Sequence, residues 1–226
     1  MTPRRRDAIA AAIGDPVRLR LLQELMSGPA AVSELVRRSK ATQQNVSNHL
    51  SVLRGAQLVT TRRRGRIVEY ALAGPAVAQL VEVISSLTGP PPAARRVELA
   101  EARTCYDHLA GRLGVTLFDQ LLAAGAILDE RRPDGDIRLG PRAEEVFERL
   151  GIPLDRLPRS RRRLAYRCLD WTERRSHLGG RLGAEVASAF RRQGFTRARP
   201  HSRGVDAAPR AWRTLETLSL RGREVS

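Results

Sequence analysis

Two groups of side chains in this sequence have the chemistry to bind something. The first is a run of short polar residues, Thr42, Gln43, Gln44, Asn45, Ser47, Asn48 and His49, interrupted only by Val46. Asn and Gln amides can pair bidentately with adenine edges in the major groove of DNA, and Ser or Thr hydroxyls can serve bases or phosphates. Shortly after it come Arg62, Arg63, Arg64 and Arg66, whose guanidinium groups suit phosphates or a narrowed minor groove. A polar run can also be an ordinary solvated helix face. The arginine cluster directly after it argues for nucleic acid.

The second group is Cys105, His108, Cys168 and His177. Positions three apart are neighbours on a helix, so Cys105 and His108 are expected on one helix face. Together the four, with Asp107 or Asp170 as further candidates, could bind a soft metal such as zinc. The two thiols could instead form a reversible disulfide. Against both, the wide separation in sequence matches no standard zinc spacing, and a free cysteine is most often plain core. A small organic effector is a third possibility, with the scarce aromatics Tyr106, Tyr166 and Trp171 as lining candidates or as core.

These groups need elements to position them. Asp15-Pro16 opens a helix, because Asp is a good N-cap and Pro suits the first helical position. Val17, Leu21, Leu22 and Leu25 then recur at helical spacing. Val32, Leu35 and Val36 mark a second short helix. Thr42 caps a third, anchored by Val46, Leu50 and Leu53 and carrying the polar run. Residues 58–61 and 67–72 read as strands flanking the arginine-rich tip 62–66. A last helix is expected over roughly 75–88. Gly89-Pro90-Pro91-Pro92 then breaks the chain, giving a DNA-binding domain at 1–88, a linker at 89–95 and a second domain at 96–226.

That second domain repeats itself. His108-Leu109-Ala110-Gly111-Arg112-Leu113-Gly114 aligns with His177-Leu178-Gly179-Gly180-Arg181-Leu182-Gly183. Each half, about 100–155 and 165–220, is expected to run helix, helix, short hairpin, helix, with a ligand cleft between the halves. The Arg159–Arg163 run at the start of the second half reads as a solvated helix start or extra phosphate contacts. The fold class is therefore mainly α with short β wings (α+β): an N-terminal winged helix-turn-helix, then a pseudo-two-fold repeat of winged-helix-like halves.

Composition narrows the function. The 226-residue chain has 40 Lys and Arg against 24 Asp and Glu, a net charge of +16, which favours a polyanionic partner. Lys40 is the only lysine. No apolar run approaches the roughly 20 residues of a membrane span, and the basic start leads into no signal-peptide core. Two cysteines do not make a disulfide scaffold, so a cytoplasmic protein with reduced thiols is expected, without membrane partners. No glycine-rich phosphate loop, Ser-His-Asp pattern or His-Glu-x-x-His motif is present, so a non-enzyme is expected. The alternatives are an enzyme domain fused to a DNA-binding head and an architectural DNA-binding protein without an effector.

Several motifs fall in one order. They are Asp15-Pro16-Val17-Arg18-Leu19-Arg20-Leu21-Leu22, Ser33-Glu34-Leu35, Gln44-Asn45-Val46-Ser47-Asn48-His49-Leu50-Ser51-Val52-Leu53, Leu58-Val59 and the Arg64-Gly65-Arg66 wing. Over about residues 7–88 this resembles the ArsR/SmtB family of transcriptional regulators. The resemblance implies a winged-helix homodimer joined through its outer helices. It also implies repression of an operon, relieved by an effector. By position, Gln43, Gln44, Asn45, Ser47, Asn48 and His49 would face double-stranded DNA, and Arg62, Arg63, Arg64 and Arg66 would form the wing. The chain departs from the family's familiar metal sites. Ala31, Val32 and Ser33 stand where a Cys-x-Cys motif often lies, and the helix at 75–88 carries neither Asp nor His.

Overall fold

The computed structural model describes residues 3–87, 99–130, 137–157, 160–199 and 202–220. The linker expected at 89–95 lies outside them. The chain divides into two compact units, Met1–Ile84 and Ser85–Ser226.

The first unit runs α1 (Pro3–Ile13), α2 (Pro16–Leu25), β1 (Ala30–Ala31), α3 (Val32–Ser39), α4 (Gln43–Gly55), β2 (Val59–Arg64), β3 (Ile67–Leu72) and α5 (Pro75–Leu87). Asp15 caps α2 as its sequence demands: its Oδ1 accepts from Val17 N and Arg18 N, each at 2.9 Å. Arg18 reaches back to the end of α1, its Nε donating to Ala12 O at 2.7 Å and its Nη2 to Ala11 O at 2.8 Å. A cation there satisfies carbonyls that the last turn leaves open. Lys40 stops α3 in a left-handed conformation, with φ 56°. Thr42 caps α4, its Oγ1 accepting from Asn45 N at 3.3 Å. Leu21, Leu22, Leu25, Leu35, Val46, Leu50 and Leu53 are all buried where α2, α3 and α4 meet.

The sheet order is β1-β3-β2, antiparallel throughout. Three features depart from the sequence expectation. Strand β2 continues through Arg64, so only Gly65-Arg66 forms the hairpin loop. Gly65 alone there has positive φ, 62°, as a two-residue hairpin with glycine first requires. Arg62, Arg63 and Arg64 are therefore strand residues. Strand β1, only two residues long, is too short to leave a periodic signal, and α1 was not anticipated either.

The second unit holds β4 (Arg103–Cys105), β5 (His108–Ala110), α6 (Gly111–Ala123), β6 (Ile127–Leu128), β7 (Arg138–Leu139) and α7 (Ala143–Arg149). It continues with β8 (Tyr166–Leu169), β9 (Ser176–Gly179), α8 (Gly180–Arg192), β10 (Thr196–Ala198), β11 (Val205–Ala207) and α9 (Pro209–Leu220). The order hairpin, helix, hairpin, helix thus occurs twice. The first helix expected in each half is a β-hairpin, and Cys105 and His108 do not share a helix face. Residues i and i+3 are neighbours on a helix, but they also flank a two-residue hairpin loop, here Tyr106-Asp107. The spacing alone cannot separate the two.

The halves share one apolar core: Leu113, Leu117, Leu121, Ile127 and Phe147 from the first pack with Leu178, Leu182, Val186 and Phe190 from the second. Backbone bonds stitch the seam, among them Thr104 N to Arg203 O at 2.8 Å and Val205 N to Ala102 O at 3.0 Å. The seam is therefore packed, where the sequence suggested an open cleft. The arginine run 159–163 starts no helix either. Arg162 binds Asp107, and Arg163 lies over the Tyr166 ring at 5.0 Å; Arg159 is outside the described residues. No helix among the described residues is long and apolar enough to cross a membrane.

Candidate nucleic-acid interface and metal centre

Helix α4 presents two different faces. Val46, Leu50 and Leu53 are fully buried, while Thr42, Gln43, Gln44, Asn45 and Asn48 are exposed and Ser47 is half-buried. Gln44 Nε2 donates to Asn48 Oδ1 at 3.2 Å, so two amides one turn apart are already ordered. His49 differs: its ring is half-buried, with Nδ1 3.8 Å from Asp15 Oδ1 at the start of α2. His49 thus sits beside the N-cap of α2. In the wing, Arg62, Arg63, Arg64 and Arg66 are all exposed. Glu69 lies across the ladder from Arg62, with Arg62 Nη2 at 3.2 Å and Arg64 Nη1 at 3.8 Å from its carboxylate. Arg63 stands opposite Val68.

In the second unit the register pairs Cys105 with His108 and Cys168 with His177. Each pair lies at the loop end of its own hairpin, the first closing a two-residue loop and the second one rung behind Leu169 and Ser176, which close a longer one. The unequal loops hide the equivalence in the sequence. Strand β5 packs beside β9, and all four side chains converge. Their candidate ligand atoms lie within 4.8 Å of one another. The two Sγ atoms are 3.8 Å apart and the imidazole centroids 5.1 Å. Cys105, His108, Cys168 and His177 are 1%, 3%, 2% and 0% exposed. These four could hold a metal.

A matching pair of carboxylates backs the histidines. Asp107 Oδ1 is 3.2 Å from His108 Nδ1, and Arg162 grips the same carboxylate through both terminal nitrogens, at 2.5 and 3.1 Å. Asp170 Oδ2 is 3.1 Å from His177 Nδ1, off line for a good hydrogen bond, and accepts from Gly111 N at 2.7 Å. Asp170 Oδ1 accepts from Arg103 Nη2 and Thr172 N, each at 2.9 Å. Each chain of Arg, Asp and His crosses the seam, since Arg103 and Asp107 belong to the first half and Asp170 and Arg162 to the second. The Nε2 atom of each histidine has no hydrogen-bond partner.

The charges follow from these contacts. Burial alone would raise Asp170, yet His177, Arg103 and Thr172 hold it well below the usual carboxylate range. Burial disfavours the His177 cation, but Asp170 and Cys105 prevail and push it up to about 9. His108 is likewise raised, with Cys105 and Asp107 outweighing burial.

Sequence reasoning found the four Cys and His residues but missed Arg103 and Arg162. One signal was available for Arg103. On a strand, residues two apart share a face, which sets Arg103 beside Cys105. The three aromatic candidates line no single place. Tyr166 is buried edge-on to His108 with centroids 6.4 Å apart, Trp171 lies under the Arg103 guanidinium at 4.8 Å, and Tyr106 stands half exposed at the hairpin turn with φ 60°.

Close packing holds the histidines together. A Cβ added at Gly183 would fall 2.2 Å from Leu178 O and 3.1 Å from His108 Cβ; one at Gly114 would fall 2.4 Å from Leu109 O and 3.5 Å from His177 Cβ. Each helix thus rests a glycine against the other half's histidine. Gly183→Ala is expected to cost about 1–3 kcal/mol of stability through overpacking, read as a lower urea midpoint. An unchanged midpoint would mean that the helix shifts freely.

Comparison with known proteins identifies the family. The family model described as "Bacterial regulatory protein, arsR family" matches residues 15–61. The chain is 33% identical over 187 residues to YdfF of Bacillus subtilis (strain 168), described as an uncharacterised HTH-type transcriptional regulator. That match covers 77% of this chain and 79% of YdfF, so it extends well beyond the first unit. The probable mercury resistance operon repressor of Streptomyces lividans is 40% identical over 70 residues, 31% of this chain and 56% of that protein. The homodimeric winged helix-turn-helix DNA-binding domain of Mb0332 from Mycobacterium bovis is 26% identical with a TM-score of 0.36, covering 37% of this chain and 78% of that one. With its family signature on α2 to β2 and a relative matched over most of both chains, the protein belongs to the ArsR family of DNA-binding, helix-turn-helix transcriptional regulators.

Proposed function

We propose that this regulator is a homodimeric repressor that grips an operator through its winged helix and releases it when its second domain senses an effector. The observation that carries the DNA reading is α4: a helix capped by Thr42, anchored by three buried apolar residues and presenting Gln43, Gln44, Asn45, Ser47 and Asn48 outward beside an exposed arginine hairpin. On this reading those residues enter the major groove, Thr42 and His49 set the helix in place, and Arg62, Arg63, Arg64 and Arg66 follow the backbone. Two copies join through outer helices, where Val83 and Leu87 of α5 are exposed at 44% and 81%. The DNA-binding domain is 1–88, with 89–95 as linker and 96–226 as the effector domain. The effector is a soft metal or a small organic molecule. The similarity to a mercury resistance repressor supports both repression and a soft metal.

The second domain acts by binding and not by catalysis, since its two buried histidines face thiols and carboxylates in a closed interior. The protein works in the cytoplasm, where thiols stay reduced.

Replacing Asn45 or Asn48 with alanine tests the interface. Each is expected to relax preference at particular base pairs, by about 1–3 kcal/mol where the amide reads a base bidentately. A uniform loss across all duplexes would assign these amides to positioning alone.

A further inference from the structure

We infer that Cys105, His108, Cys168 and His177 form a closed, four-coordinate site for a zinc-class divalent ion, with Asp107 and Asp170 as the positioning residues of its two histidines. This rests on the effector-sensing reading of the second domain and names its ligand class and ligand atoms.

Two geometric facts and a charge argument support the ion over plain packing. First, zinc binds thiolate sulfur at about 2.3 Å in tetrahedral sites, and the edge of such a tetrahedron is about 1.63 times that length, roughly 3.8 Å. The Sγ atoms of Cys105 and Cys168 are 3.8 Å apart. A disulfide needs about 2.05 Å, so the two thiols stand at the spacing of metal ligands and not of a bond. Second, a carboxylate stands on the Nδ1 side of each histidine, hydrogen-bonded in His108 and 3.1 Å away but off line in His177, while Nε2 in each is buried without a hydrogen-bond partner. A carboxylate behind the ring is the usual orienting group of a metal-bound imidazole. An unsatisfied buried nitrogen is otherwise costly. With the candidate ligand atoms of all four residues within 4.8 Å of one another, these nitrogens suit a shared ligand.

Third, the charges balance. Two thiolates neutralise a divalent ion, and two neutral imidazoles complete the shell. The outer carboxylates are each matched by an arginine, Asp107 by Arg162 and Asp170 by Arg103. A neutral centre with paired outer charges is compatible with deep burial, where a bare ion is not. Binding releases the thiol protons, and any second proton carried by each imidazole, into solvent. Four protein ligands leave no open position, which distinguishes such a site from a catalytic zinc centre. Each half contributes one sulfur and one nitrogen, so an ion here pins the two hairpins together across the seam.

The test uses the full chain, reduced and stripped with a chelator, then titrated with Co(II) as a spectroscopic probe and with Zn(II). The expected result is one ion per chain. The Co(II) complex should show the intense d–d absorption of a tetrahedral site and a thiolate-to-metal charge-transfer band, with Zn(II) displacing Co(II). Cys168→Ser should abolish the charge-transfer intensity contributed by its thiolate. Asp107→Asn should keep the tetrahedral spectrum while weakening affinity about 10–100-fold, a split that a merely structural role would not give. No binding by the wild-type chain, a weak octahedral Co(II) spectrum, or rapid conversion of the thiols to a disulfide in place of ion uptake would each overturn the site. Operator affinity measured on the same samples separates the two claims. A loaded site that leaves operator affinity unchanged keeps the metal site and sinks the effector reading. An operator that responds to some other ligand, with no ion bound, does the reverse.

Discussion

Replacing Arg103 with leucine is expected to lower the free energy of unfolding by about 3–5 kcal/mol, the cost of stranding a buried charge. Arg103 and Asp170 form an ion pair whose side chains are both 0% exposed. The guanidinium also donates to Thr172 Oγ1 at 2.9 Å and stacks on Trp171. Removing it leaves the Asp170 carboxylate facing leucine on one side, with His177, Gly111 N and Thr172 as its remaining partners. The double variant Arg103→Leu/Asp170→Asn is expected to be less destabilised than the sum of the two single variants, because it no longer buries an unpaired charge. Urea unfolding of the four proteins measures this directly. A single-variant cost below about 1 kcal/mol, the range of exposed pairs, would mean that the pair is hydrated in solution.

The second large effect concerns DNA. Arg62→Ala/Arg63→Ala/Arg64→Ala is expected to weaken binding to every duplex and to flatten its salt dependence. Each phosphate contact contributes about 0.9 to the slope of log affinity against log salt, so loss of three contacts reduces the slope by about 2.7. Arg62 and Arg64 sit beside Glu69 and must exchange that partner for a phosphate, whereas Arg63 has no such exchange to make across the ladder. Arg63→Ala alone is therefore expected to account for the largest single share. An unaltered slope in the triple variant would remove the wing from the DNA interface.

The first unit was largely legible in the sequence because its signals are local. Asp15-Pro16 and Thr42 act on backbone groups within three residues, and the apolar positions of α4 repeat at helical spacing. The wing hairpin was legible, but not its length, since arginines are equally at home in a loop and on an exposed strand. The second unit was harder to read for a physical reason. Its strands are two to four residues long, too short for alternation to show. The Cys105–His108 spacing fits a helix turn and a tight hairpin alike. The repeat placed the two histidines at equivalent positions, yet nothing local foretold that Arg103 would reach Asp170 across the seam. Long-range pairs of that kind are set by packing and not by neighbouring residues.

The central claim, a dimer that reads DNA sequence, is tested most directly by selecting duplexes from a random pool with the full-length protein at fixed salt. Enrichment is predicted for an imperfect palindrome with half-sites about one helical turn apart, bound by two chains per duplex. Recovery of duplexes with no shared sequence, or of a single asymmetric site bound by one chain, would contradict it.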